Sequence, residues 1–84
     1  MFYVYLLRDR CGKSYIGYTS NLKQRLQAHA RGSSSYLKER RPIKLIYYEA
    51  YLSEKDARAR EKSLKNYGNV LNGLKHRIQD SFKY

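Results

Sequence analysis

The chain has 84 residues and a formal net charge of +11, from 18 Lys and Arg against 7 Asp and Glu; one small domain with a modest core follows, and its self-repulsion suits a polyanionic partner, nucleic acid first. No apolar run approaches the roughly 18 residues of a membrane span, and no charged segment followed by an apolar one opens the chain, so spanning and secretion find no support and a cytoplasmic protein is expected. The single cysteine, Cys11, has no partner for a disulfide and no ligand set for zinc.

Phe2 to Leu7 is an apolar run rich in Tyr and Val, and Ser14 to Tyr18 is a shorter one. The intervening "RDRCGK", with Gly12, predicts a hairpin turn between antiparallel strands. A turn centred on residue 10 sets Tyr5 opposite Tyr15, because residues equally distant from a turn face one another across the ladder. Packing explains either tyrosine taken alone. In "TSNLKQRLQAHARG", Thr19, Ser20 or Asn21 can cap a helix, Gln24 stands three residues after Asn21 as in a capping box, and Gly32 supplies a stop. At about 100° per residue, Leu22 and Leu26 mark the buried stripe, with Arg25 roughly 60° and His29 roughly 20° to one side of Leu22. Those two polar groups are stacked at the core edge, where such side chains face a concavity or are paired.

"GSSSYLKERRP" reads as a basic loop ending at Pro42. Residues 43 to 51, "IKLIYYEAY", predict a third strand covered on both faces. In "LSEKDARAREKSLKNYG", Ser53 and Asp56 form a capping signature, acidic residues crowd the first turn, Lys62 and Lys65 lie near the end, and Gly68 closes the helix. With Ala57 at the centre of its packing face, Leu64 falls about 20° to one side and Glu61 about 40° to the other. An ion pair explains Glu61, Lys65 at i+4 being well oriented for it; so does a divalent metal held in a positive, phosphate-seeking cleft. Val70, Leu71, Leu74 and Ile78 give a third helix, capped by Asn69 or Asn72. With no internal repeat or second domain, residues 1–84 form one α/β unit of order β-β-α-β-α-α, a three-stranded, mainly antiparallel sheet flanked by helices.

Tyr3-Val4-Tyr5, Tyr15-Ile16-Gly17, Arg25, His29 and Glu61, in this order and spacing, resemble the two half-motifs and downstream residues of the GIY-YIG nuclease domain, in particular its small stand-alone bacterial members. The likeness runs over almost the whole chain, and five positions on the expected elements are far more specific than one tripeptide. It implies a Mg²⁺- or Mn²⁺-dependent endonuclease that hydrolyses DNA phosphodiesters. Glu61 would hold the ion, since Mg²⁺ keeps several waters and takes few protein carboxylates. Arg25 would meet developing negative charge. Tyr5 or Tyr15 would orient the attacking water or take its proton, surrounding cations favouring the phenolate. His29 would relay that proton or bind a phosphate. Gly17 would let the backbone pass closely, and Asn72, or else Asn69, would fill the family's downstream Asn position.

The chain departs from the family pattern in Tyr3, where Gly is usual, and is expected to work without the appended DNA-binding domain that gives homing and repair relatives their specificity. Basic residues at Lys23, Arg40, Arg41, Arg58, Arg60, Lys62, Lys65, Lys75 and Arg77 predict phosphate contacts and weakly selective binding. The abundance of tyrosine suggests a preference for structured or single-stranded DNA. The competing expectations are a non-catalytic nucleic-acid-binding module that keeps the fold, and a basic surface that meets RNA or an acidic protein.

Overall fold

A strand that reads FYVYLLR is apolar on both faces, so it must be covered from both sides. In the computed structural model, which describes residues 1–30 and 42–83, this strand, β1 (Phe2–Arg8), is the middle of a three-stranded sheet. β2 (Ser14–Thr19) and β3 (Lys44–Tyr51) pair with it on either side, both antiparallel. Helix α1 (Leu22–Ala30) follows β2, and α2 (Glu54–Asn66), α3 (Gly68–Arg77) and a 3-10 turn (Gln79–Lys83) follow β3. The expected α/β architecture and element order are therefore realised.

Tyr5 and Leu7 pack with Leu22 and Leu26 of α1 on one face of the sheet, and Val4 packs with Ala57, Leu64 and Leu74 of α2 and α3 on the other. No residue in Val4–Leu7 is more than 4% exposed. The strand at 43–51 is contiguous in apolar residues for a local reason. The register slips at Leu6/Leu7, so that Leu6 faces Tyr47 and Leu7 faces Leu45, leaving Ile46 as the extra residue of a bulge. Tyr47 and Tyr51 thus pack on the α2–α3 side while Ile43 and Leu45 pack on the α1 side.

The expected pairing of Tyr5 with Tyr15 is corrected. The hairpin centres on Cys11, so Tyr5 lies opposite Gly17 and Tyr15 opposite Leu7. The two tyrosines are diagonal neighbours on one face. The cause is the turn, in which Asp9 N–H donates to the Lys13 carbonyl (2.9 Å) and Gly12 N–H to the Asp9 carbonyl (3.0 Å), with Gly12 at φ 87°. One Asp9 carboxylate oxygen also accepts from the amides of Cys11 (2.8 Å) and Lys13 (2.9 Å).

Asn21 is the α1 cap, accepting from Gln24 N–H at 3.0 Å, and Ser53 caps α2 through Asp56 N–H at 3.3 Å. Gly68 does not close α2 in a left-handed conformation; Tyr67 ends α2 and begins α3, with Gly68 as the first residue of α3. Asn69 and Asn72 therefore lie within α3 and do not cap it. Gly32, Arg40, Arg41 and the basic loop lie outside the described residues.

Glu49, which the sequence did not single out, ties β3 to α2. Its carboxylate accepts from Tyr47 (2.7 Å), from Tyr51, and from Arg60 through Nε (3.0 and 3.2 Å) and Nη2 (3.0 Å). Burial opposes its ionisation, but donation by Arg60 and both phenols outweighs that and holds Glu49 below the usual carboxylate range. Burial and then Glu49 push the Tyr51 phenol up to about 12. Glu49→Ala strands these donors, and urea denaturation is expected to show a loss of about 2–3 kcal/mol.

Candidate active site

β2 is an edge strand, and α1 and α2 flank it from opposite faces of the sheet. Between them opens a cleft of about 360 Å³ lined by Tyr5, Tyr15, Gly17 and Tyr18 from the sheet, Arg25 and His29 from α1, and Arg58, Glu61 and Lys65 from α2. Tyr5, Tyr15, Gly17, Arg25, His29 and Glu61, six of the residues expected from sequence, thus meet in one place.

Tyr5 reaches this cleft by crossing its neighbour strand at the one position without a side chain. A Cβ on Gly17 would stand 2.3 Å from both Cζ and the hydroxyl oxygen of Tyr5. The requirement at Gly17 is therefore space for a ring. Its amide-to-amide path is ordinary, and Gly12 is the described glycine that uses a positive φ. Beyond Gly17 the Tyr5 hydroxyl accepts from Arg25 Nε at 3.2 Å and lies 3.4 Å from His29 Nε2. Arg25 and His29 are one turn apart on α1 and so bracket a single phenol oxygen.

His29 Nε2 faces Tyr5, whereas His29 Nδ1 is buried without a hydrogen-bond partner among the described residues. Burial, and then the nearby Arg25 cation, hold the imidazole below its ordinary 6.5. It is consequently neutral at pH 7 and able to accept a proton. Tyr15 has a different environment, since its hydroxyl donates to the second Asp9 carboxylate oxygen at 2.9 Å. Asp9, only 4% exposed, joins the turn to the cleft. Sequence reading passed over it, although an Asp opening a turn three residues before a Gly was a usable signal.

Glu61 Oε2 lies 3.1 Å from Lys65 Nζ, so the i+4 ion pair exists, and the Glu61 side chain is 21% exposed. It is the one carboxylate among the described residues lining the cleft. One hard oxygen donor beside a half-exposed lysine fits Mg²⁺ or Mn²⁺ carrying its own waters and substrate oxygens, and does not fit a cage made wholly of protein ligands.

Arg58 and Lys65, expected as phosphate contacts, line the same cleft, and the other expected residues that the structure describes lie apart. Asn72 and Asn69 are exposed on α3 and are not among the residues lining the cleft. Arg60 donates to Glu49 and is not among the residues lining the cleft. Arg58 lines the cleft, with its guanidinium 4.5 Å from the Tyr18 ring centroid and 3.4 Å from Glu54. Lys62 is exposed on α2 outside the cleft, and Lys23 borders a separate concavity beside α1.

The model of the GIY-YIG catalytic domain matches residues 1–75. The chain belongs to the GIY-YIG family. It is similar to a UPF0213 protein of Clostridium perfringens, with 38% identity over 66 residues, 77% of this chain and 71% of that one. A UPF0213 protein of Streptococcus pneumoniae is 41% identical over 64 residues, 75% of this chain and 65% of that one. The solution NMR structure of a UPF0213 protein from Bacillus halodurans matches with a TM-score of 0.56 and 32% identity, over 89% of this chain and 86% of the other. The GIY-YIG domain is a nuclease domain, which implies a nucleic-acid substrate, and its members generally depend on a divalent metal. Among the described residues, no helix is long and apolar enough to cross a membrane.

The GIY-YIG geometry makes two checks available. Gly17→Ala forces Tyr5 out of place, with an expected loss of about 1–3 kcal/mol; in a Tyr5→Leu background the loss shrinks, which a double-mutant cycle by denaturation reads directly. The unfolded state binds a proton at His29 more readily than the folded state, so its contribution to stability is intact above pH 6.5 and declines as pH falls from there through the lowered folded value. An NMR titration is expected to place the His29 midpoint below 6.5, and Arg25→Gln to move it upward.

Proposed function

We propose that the chain hydrolyses DNA phosphodiester bonds with a divalent metal at Glu61, and that Tyr5 is the proton acceptor for the attacking water. The carrying observation is the convergence of Arg25 and His29 on the Tyr5 hydroxyl in the cleft that also contains Glu61. Bound there, Mg²⁺ or Mn²⁺ would supply Lewis-acid stabilisation of charge on the phosphoryl and leaving oxygens.

The protein's own groups supply the proton path and the orientation. Arg25 can only donate, so its bond to Tyr5 leaves a phenol lone pair for water and stabilises negative charge on that oxygen. Neutral His29 receives the Tyr5 hydroxyl proton at Nε2 as Tyr5 takes one from water. Water oxygen then bonds to phosphorus, the bond to the leaving oxygen breaks, and that oxygen is protonated from solvent. Tyr15 is the weaker candidate for the base, because donation to Asp9 puts a carboxylate beside any phenolate; it orients water or a phosphoryl oxygen. Arg25 uses Nε on Tyr5, and its terminal nitrogens meet the phosphoryl group.

Arg58, Lys62 and Lys65 on α2, with Lys23 on α1, offer phosphate contacts that carry no base information, which supports weak sequence selectivity. The Glu61–Lys65 ion pair gives Glu61 a structural partner on its own helix, which supports a second reading as a non-catalytic nucleic-acid-binding module.

Cleavage of supercoiled, linear, single-stranded and branched DNA with Mg²⁺ or Mn²⁺ separates the two. Tyr5→Phe and Glu61→Ala are each expected to lose about 10²-fold or more of the rate while retaining DNA affinity. Absence of cleavage on every substrate, or equal rates in all three proteins, would leave the binding module.

A further inference from the structure

On the α1 side of the sheet, α1 covers β1 but leaves a second concavity over β3, about 460 Å³, lined by Tyr3, Tyr48, Leu22, Lys23 and Leu26 with the Ser20–Asn21 cap. Tyr48 is 52% exposed there, unusual for so large an aromatic in a paired strand. Its ring meets that of Tyr3 edge-on, with centroids 6.0 Å apart and planes at 63°. A T-shaped pair of this kind fixes both rings in advance, so a flat ligand meets a face that has already lost its rotamer freedom. Lys23, exposed on the first turn of α1, stands at the rim.

Tyr3 and Tyr5 are two residues apart on β1, hence on the same face about 6.6 Å apart, and Tyr48 is the cross-strand partner of Tyr5. The aromatic corner is therefore next to the Tyr5 cleft, on the other flank of α1. In a chain of net charge +11, an aromatic corner edged by a lysine matches a nucleotide, with the base on the ring and the phosphate on the cation.

We propose that the Tyr3–Tyr48 corner is a stacking subsite for an unpaired nucleobase of the strand whose phosphodiester occupies the Tyr5 cleft, with Lys23 on an adjoining phosphate. This rests on the reading of that cleft as a phosphodiester site. A base inside a duplex keeps its faces stacked on its neighbours, so the corner selects single-stranded or frayed DNA, without base identity, since every base has a π-face.

The test measures affinity by fluorescence anisotropy without metal, in the Glu61→Ala background, for a mixed-sequence single-stranded oligodeoxynucleotide and the matching duplex at equal salt. Binding is thereby read independently of cleavage, and failure of the nuclease reading leaves the result interpretable. Tyr48→Ala is expected to weaken single-strand binding about tenfold, within the range for one stacked base, and to leave duplex binding unchanged. Tyr48→Phe, which keeps the π-face, is expected to bind as the parent does. Unchanged single-strand affinity in Tyr48→Ala, equal weakening on the duplex, or equal loss in Tyr48→Phe would each overturn the subsite.

Discussion

The passage of the Tyr5 ring over Gly17 is the constraint on which the rest of the site depends. Tyr5 starts on the central strand, where its backbone is paired on both sides, and its hydroxyl lies in the cleft at the open edge of the sheet. The phenol spans one strand spacing, about 4.8 Å, only if nothing projects from the strand it crosses. Gly17 removes the obstacle, with no room for even a methyl group. Arg25 and His29 then hold the tip of the phenol from α1.

That crossing works in a single register. A slip of one residue would set a side chain under the ring and turn the face of every residue on β2. Asp9 prevents the slip from the far end of the hairpin, because its carboxylate gathers the amides of Cys11 and Lys13 and so sets the length of the turn. The same carboxylate accepts from Tyr15. One buried acid thus settles both the register that admits Tyr5 and the orientation of its neighbour, so that the Tyr5 hydroxyl accepts from a guanidinium while the Tyr15 hydroxyl donates to a carboxylate. On the reverse face Glu49 does comparable work, locking α2 to β3 through Arg60, and with α2 the height at which Glu61 enters the cleft.

In a protein of net charge +11, three of the carboxylates are committed to structure. Asp9 holds the turn, Glu49 holds α2, and Glu54 pairs with Arg58 and accepts from Tyr18 at 2.7 Å. Glu61 is left as the acid that lines the cleft among the described residues, paired with Lys65. The basic excess is correspondingly presented outward, at the cleft rim and along α2.

Much of this was legible in the chain itself. The apolar run of β1 demanded cover on both faces, Asn21 and Ser53 marked where α1 and α2 begin, and helical periodicity set Arg25, His29 and Glu61 at the edges of their packing stripes, which is local geometry that a few residues determine. The partner of Tyr5 was misplaced because a turn's centre depends on which backbone amides a buried carboxylate collects, and Asp9 looked like any polar turn residue. Asn69 and Asn72 read as caps, yet packing of Val70, Leu71 and Leu74 begins α3 at Gly68. Arg60 and Glu49 are eleven residues apart on different elements, and the Tyr3–Tyr48 corner joins strands 45 residues apart in sequence; the sum of such long-range pairings has no local signature. Sequence alone determined which chemical groups the protein owns and on which faces they stand. The tertiary structure decided which groups meet, because strand register and helix docking are set by side chains that touch only once the chain has folded.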